Sequence, residues 1–204
     1  MFAHIIKSNG SVRFAGQLET TDVILNLHEG EKVVYSDMLH LKGDYYWDNK
    51  WNSVGDPPTR FHYFNYDLKT WAVNEIDARI VKTSIIEDER LRQATTPIEV
   101  DGILLDGDEN SQQNLKNKLE EIKIRLELTI PTESSELFWR DYDNVTHFWN
   151  TIEEYYMFLQ KYSVALSTRN STTYLRMWEL KKKLASITDP EELASFDPIE
   201  EWNL

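Results

Sequence analysis

Apolar and polar residues alternate in short runs over the first 73 positions, a pattern typical of β-strands. Phe2–Lys7 and Ser11–Ala15 are two such runs, and they flank Ser8, Asn9 and Gly10. Because Asn-Gly between alternating runs is a strong turn signal, this segment is predicted to be a β-hairpin.

Short secondary-structure elements are also predicted for the rest of the first 73 residues. Glu31–Tyr35 is predicted to be a further strand, after a short helical turn over Val23–His28. Tyr45–Trp47 is expected to pair with the chain that begins at Trp51. A last hairpin is predicted from the runs between 61 and 73.

The second half changes to the period of an α-helix. Asn74 is expected to cap a helix that runs toward Ala94. A second helix is predicted where apolar residues recur at spacings of 4, 3 and 4, at Leu115, Leu119, Ile122 and Leu126. Two short hairpins are expected beside it, one turning at Asp101 and Gly102 and one turning at 142–144.

The last quarter of the sequence is predicted to form further amphipathic helices. Thr151 is expected to cap a helix whose inward side chains are Ile152, Tyr155, Tyr156, Leu159, Tyr162 and Leu166. Ser171 or Thr172 is expected to start the next helix, with inward residues Tyr174, Met177, Leu180, Leu184 and Ile187. Asp-Pro pairs at 189 and 197 predict two more helix starts.

Together these elements predict an α+β fold, with a small β-rich N-terminal module followed by a mainly helical C-terminal domain with short β-hairpins. The expected divisions are residues 1–73, a connecting helix or linker at 74–97, and residues 98–204. Charge supports a division, since residues 1–84 carry 9 basic and 11 acidic side chains, and residues 85–204 carry 13 and 24.

The amino-acid composition disfavours or excludes several kinds of partner and site. The net charge of −13 disfavours nucleic acid as a partner, because an acidic surface repels phosphates. The chain has no Cys, so disulfides and thiolate metal sites are excluded. No signal peptide and no run long enough for membrane insertion are visible.

One acidic stretch has two possible roles. Asp106, Asp108 and Asn110 are spaced like the first ligands of a calcium loop. Ser111 and Asn117 occupy the places where such a loop needs Gly and Glu. We therefore favour Asp108 as the cap of the following helix over a calcium site.

The sequence offers no recognised catalytic arrangement. The five histidines lack metal-ligand spacing, and no phosphate-binding glycine loop or serine nucleophile elbow is present. Asp141 and Asp143 could form an acid-base pair, but turn carboxylates facing water are the preferred interpretation. We expect no catalytic residues, no metal and no cofactor.

Aromatic residues are concentrated in one stretch of 27 positions. They are Tyr45, Tyr46, Trp47, Trp51, Phe61, Tyr63, Phe64, Tyr66 and Trp71. Such rings can bind a sugar or a partner protein, or they can form the core of a small sheet, which we favour for most of them. Trp47, Trp51 and Tyr63 are the predicted partner-binding residues. Trp139, Trp149 and Trp178 are expected in the core.

Several short motifs in a fixed order resemble a domain of unknown function that is common in tailed-phage and prophage tail proteins. They are Val100-Asp101-Gly102, Asp108-Glu109-Asn110-Ser111-Gln112, Phe138-Trp139-Arg140 and Asp143-Asn144. The resemblance covers about residues 85–195. The N-terminal half is similar to the modules that precede this domain, through its Tyr-Tyr-Trp hairpin and the Phe64-x-Tyr66-Asp67 and Trp71 pattern.

The resemblance implies a non-enzymatic structural protein of a bacteriophage virion. It would bridge tail, baseplate or tail-fibre proteins as a homo-oligomer or in several copies, after synthesis in the host cytoplasm. Two alternatives remain open at this point. One is a tail-fibre assembly chaperone that is absent from the mature virion, and the other is a glycan-binding module for host recognition.

Overall fold

The computed structural model describes residues 1–17 and 27–203. The fold class is α+β, as predicted from the sequence. The strands are β1 Phe2–Ile6, β2 Val12–Gln17, β3 Lys32–Ser36, β4 Tyr45–Trp47, β5 Trp51–Ser53, β6 His62–Asn65, β7 Thr70–Val73, β8 Ile98–Val100, β9 Ile103–Leu105, β10 Phe138–Arg140 and β11 Thr146–Phe148. The helices are α1 Glu75–Ala94, α2 Glu109–Glu127, α3 Ile152–Ser186, α4 Pro190–Ser195 and α5 Pro198–Trp202. The predicted helical turn over Val23–His28 lies largely outside the described residues.

Contacts divide the chain into two units. Residues 1–79 and 188–196 form the first, and residues 80–187 and 197–204 form the second. This grouping differs from the expected divisions at two places. The boundary falls inside α1 instead of at its ends, and the segment 188–196 is grouped with the β-rich unit.

The first unit is built on a three-stranded antiparallel sheet in the order β2-β1-β3. The central strand β1 contributes buried side chains at Ala3, His4, Ile5 and Ile6. The predicted hairpin at Gly10 is confirmed, with φ of 87° at that residue. A Cβ at Gly10 would collide with the Trp47 carbonyl oxygen, so the close approach of β4 also requires glycine there.

Two further hairpins of this unit, β4–β5 and β6–β7, confirm the predicted pairings. Asn49 and Lys69 take the positive φ that each turn requires, at 56° in both cases. In the C-terminal segment of the unit, Leu193 of α4 is fully buried and α4 contacts β7.

The core of the second unit lies where α2, α3 and two hairpins meet. Its buried residues are Val100, Leu105, Leu115, Ile122, Leu137, Tyr155, Phe158, Leu159, Tyr162 and Leu166. The hairpins β8–β9 and β10–β11 are joined by a 2.9 Å hydrogen bond from the Tyr142 amide to the Leu104 carbonyl. Trp139 and Trp149 are partly buried against this core, as expected.

The helix caps follow the sequence closely. Asp108 accepts from the Ser111 amide at 2.7 Å, and Thr151 accepts from the Glu154 amide at 3.2 Å. Asp189 and Asp197 cap α4 and α5 in the same way. A short polar side chain at each position satisfies amides that have no partner within the helix.

The predicted helix start at Ser171 or Thr172 is wrong. Residues 152–186 form one continuous helix of 35 residues. The Thr172 hydroxyl donates to the Thr168 carbonyl at 2.9 Å, as a threonine inside a helix does. Local polarity predicted a cap, but the buried positions on both sides of 171 keep the helical period.

Two expected inward positions on α3 also face outward. Trp178 is 47% exposed and Tyr174 is 49% exposed. The buried face runs through Thr173, Met177 and Leu180 at spacings of 4 and 3. Each wrongly placed residue follows a buried residue by one position, which turns it by about 100° around the helix.

Among the helices of the described residues, none is both long enough and apolar enough to cross a membrane.

Candidate partner-binding surface

The hairpin β4–β5 brings two predicted partner-binding residues together. Trp47 lies opposite Trp51 in the register, and their ring centroids are 5.2 Å apart at 75°. The Trp47 amide donates to the Gly10 carbonyl at 2.9 Å, which attaches this hairpin to the turn between β1 and β2. Tyr63 lies on a different hairpin, so the structure joins only two of the three residues in one element.

Trp51 has a structural role in the first unit. Its ring stacks on His40 at 4.0 Å and 17°, and it meets the edge of His4 at 4.7 Å. The side chain is half-buried. A substitution here therefore removes internal contacts in addition to any contact with a partner.

His4 and His40 form a buried pair that the sequence analysis missed. The His4 Nε2 accepts from the His40 amide at 3.0 Å, and the His4 Nδ1 donates to the Val34 carbonyl at 3.3 Å. Burial lowers the pKa of both imidazoles, and the nearby His40 lowers the pKa of His4 further. The two residues are 36 positions apart, so no local spacing indicates their contact.

Trp47 offers one unused polar group. Its indole Nε1 is buried and has no hydrogen-bond partner within the described residues. The residue borders a concavity of about 360 Å³ whose lining includes Lys32, Asp48 and Asp67. Because this N–H is buried, it is no direct evidence of contact with a partner, and Trp47 stays a predicted partner-binding residue.

Tyr63 is the most accessible of the three predicted residues. It lies on β6 opposite Ala72 and is 51% exposed. The next residue, Phe64, instead contacts Tyr46 at 5.3 Å and Trp71 at 5.5 Å. Neighbouring residues of β6 therefore have different environments. Phe64 joins an internal cluster of rings, whereas the Tyr63 ring is exposed.

A second exposed aromatic surface lies on the hairpin β10–β11 of the helical unit. Phe138 and Phe148 are cross-strand neighbours with ring centroids 6.1 Å apart. They are 46% and 65% exposed, and Val145 near the turn is 54% exposed. Grouped apolar side chains of this kind are typical of surfaces that bind another protein.

The motif residues behind the family resemblance have structural roles. Asp101 and Gly102, the predicted turn residues, take φ of 51° and 80°, as a type I′ turn requires, and Asn144 takes 63°. Asp108 caps α2, as described above. In this structure these positions shape turns and cap a helix.

Asp141 also stabilises a turn. Its carboxylate accepts from the Val145 amide at 2.8 Å and contacts His147 Nε2 at 2.7 Å. The hydrogen bond from His147 holds the pKa of Asp141 below its usual range. This geometry favours the interpretation as a turn carboxylate over an acid-base pair with Asp143.

Asp106, which lies near Asp141, has a pKa above the usual value of an aspartate. The pKa of Asp106 is raised by burial and by the proximity of Asp108 and Asp141. Within residues 1–17 and 27–203, no group of three or more His, Asp or Glu side chains is arranged to hold a metal ion.

A groove of about 530 Å³ lies between α1, α2 and α3, and it was not predicted from the sequence. It is lined by Arg90, Gln112, Leu115, Lys116, Leu119, Ser163, Leu166, Ser167, Asn170, Ser171 and Tyr174. Three helices supply these residues, so no continuous motif could have indicated the groove.

Comparison of the chain with protein-family models, with curated proteins and with solved structures found no match.

Proposed function

We propose that this chain is a non-enzymatic structural component of a tailed-phage virion that bridges tail, baseplate or fibre proteins. The proposal starts from the ordered motifs that resemble the phage tail domain. It includes assembly in several copies, and attachment to the virion through the β-rich unit.

The supporting observation is that each unit exposes large apolar side chains on a short hairpin. Tyr63 provides this surface on β6–β7, and Phe138 and Phe148 provide it on β10–β11. Water-exposed rings contribute strongly to binding once a partner covers them. Two such surfaces suit a protein that contacts two neighbours.

Charge favours the strand-bearing part of the β-rich unit as the attachment surface. Residues 1–73 carry 7 basic and 9 acidic side chains, and the segment 188–196 of the same unit adds three acids, Asp189, Glu191 and Glu192. Removing charged groups from water is costly, so a dry interface forms more readily where few charges have to be buried. We therefore assign virion attachment to the hairpins of residues 1–73.

The test is incorporation of Tyr63→Ala into particles, measured by mass spectrometry of purified virions. Tyr35→Ala is the matched control, because Tyr35 is 53% exposed on β3 of the same unit. Truncation of a central interface tyrosine costs roughly 2 kcal/mol of binding free energy, so Tyr63→Ala should be depleted and Tyr35→Ala retained.

Two results would contradict this proposal. Normal incorporation of a folded Tyr63→Ala variant would move attachment away from β6. Absence of the wild-type protein from purified particles would reject the structural role and favour the assembly chaperone.

A further inference from the structure

We propose that the groove between α1, α2 and α3 binds a small anionic molecule with several hydroxyl groups, such as a sugar phosphate or a sugar acid. Arg90 and Lys116 would hold its oxyanion, and the polar side chains around them would hold its hydroxyls. This site lies wholly within the second unit and does not depend on the proposed role in the virion.

Within residues 1–17 and 27–203, the two cations that line the groove have no acidic partner. Arg90 Nε is buried without a hydrogen-bond partner, and neither Arg90 nor Lys116 has an ion pair within the described part of the chain. Nearby cations on the same helices are paired. Arg92 contacts Glu89 at 2.6 Å, and Lys118 contacts Glu121 at 2.8 Å.

An unpaired buried guanidinium nitrogen is costly, since it has lost water without gaining an acceptor. An oxyanion in the groove would supply the opposite charge that Arg90 lacks within the described residues. Guanidinium and ammonium groups together suit a phosphate or carboxylate, because both oxyanions accept several charge-assisted hydrogen bonds.

The other side chains of the groove are neutral and mostly polar. Among residues 1–17 and 27–203, no Asp or Glu side chain lines the groove, although the chain as a whole carries 35 of them. Serine hydroxyls occur at positions 163, 167 and 171, and Asn170 and Tyr174 add further polar groups. Hydroxyl and amide groups exchange hydrogen bonds readily with the hydroxyls of a polyol or sugar.

The volume of the groove and the negative charge around it limit which ligands can bind. A volume of about 530 Å³ falls in the range of small-molecule sites. The acidic surface of this half repels an extended polyanion such as nucleic acid. A small anion is repelled less by that surface because it carries few charges. Arg90 and Lys116 can then attract it within the screening length of roughly 8 Å.

The experiment is a calorimetric titration of the full-length protein with glucose 6-phosphate and with glucuronate. Glucose is the neutral control for both probes. The variants are Arg90→Gln and Lys116→Gln, and Lys182→Gln removes an exposed cation of α3 that does not line the groove. Lys116 is also exposed, so its substitution should leave the fold intact.

We expect saturable binding of at least one anionic probe and much weaker binding of glucose. Each groove variant should weaken binding by about tenfold or more, as expected for loss of a charge-assisted hydrogen bond, and Lys182→Gln should bind like the wild type. The tighter of the two anionic probes identifies the preferred oxyanion.

Three outcomes would overturn the proposal. One is no saturable binding of either anion at concentrations on the order of 10 mM. Another is equal binding of glucose and the anions. The last is equal weakening by Lys182→Gln and Lys116→Gln, which would indicate a nonspecific charge effect.

Discussion

The Asp108 carboxylate accepts a hydrogen bond from the Ser111 amide at the start of α2. We expect Asp108→Ala to lower the free energy of unfolding by roughly 1 kcal/mol, because it leaves that amide without its acceptor. Asp108→Asn should cost less, since its side-chain oxygen can still cap the helix. Urea denaturation measures both, and equal losses for the two variants would contradict the capping role.

Protonation of the buried histidines should make stability depend on pH. Burial lowers the pKa of His4 and His40 below 6.5, the ordinary value for histidine, so the unfolded chain binds protons more readily than the folded chain. Their contribution is therefore complete above about pH 6.5 and is lost as the pH falls through the folded-state pKa values. Thermal unfolding between about pH 8 and about pH 5 measures this loss.

His40→Phe tests the source of that dependence. It keeps a ring against Trp51 but cannot take up a proton, so it should lose less stability than the wild type between the same two pH values. His28→Gln is the control at an exposed position. A pH dependence that is identical in all three proteins would exclude His40 as its source.

At the scale of elements, the continuity of α3 can be tested by the sign of one substitution. Thr172→Ala should stabilise the protein by up to roughly 0.7 kcal/mol, because alanine is the better residue inside a helix. Thr151→Ala should destabilise it by roughly 1 kcal/mol, because Thr151 is a cap. Urea denaturation gives both values, and a loss for Thr172→Ala would indicate a helix start there.

Elements determined by neighbouring residues could be predicted from the sequence. Asp101 with Gly102 specifies its turn through backbone conformation, and Asp189 with a following proline specifies a helix start. Thr172 shows the limit of this reasoning, since a polar residue suits a cap and a helix interior alike. Only the contacts of the flanking turns decide between them.

Contacts between distant residues could not be predicted in this way. His4 and His40 meet because β1 and the chain after β3 converge on Trp51. The groove likewise needs Arg90 from α1 and Lys116 from α2 to lie beside α3. Of the predicted binding residues, the sequence correctly paired Trp47 with Trp51, but it did not indicate that Trp51 faces two histidines.

At the scale of the whole molecule, the C-terminal segment 188–196 is grouped with the N-terminal unit. Leu193 of α4 is fully buried, and α4 contacts β7. The first unit therefore combines N-terminal residues with a segment from late in the chain. Its stability should depend on a helix that follows the whole of α3 in the sequence.

Leu193→Ala tests this dependence. We expect a loss of roughly 2–5 kcal/mol in the free energy of unfolding, as for other fully buried leucines, with faster hydrogen exchange at the β6 and β7 amides. Leu175→Ala makes the same change at a side chain that is 64% exposed, and it should cost far less. If Leu193→Ala accelerated exchange only at 80–187, the assignment of α4 to the first unit would be wrong.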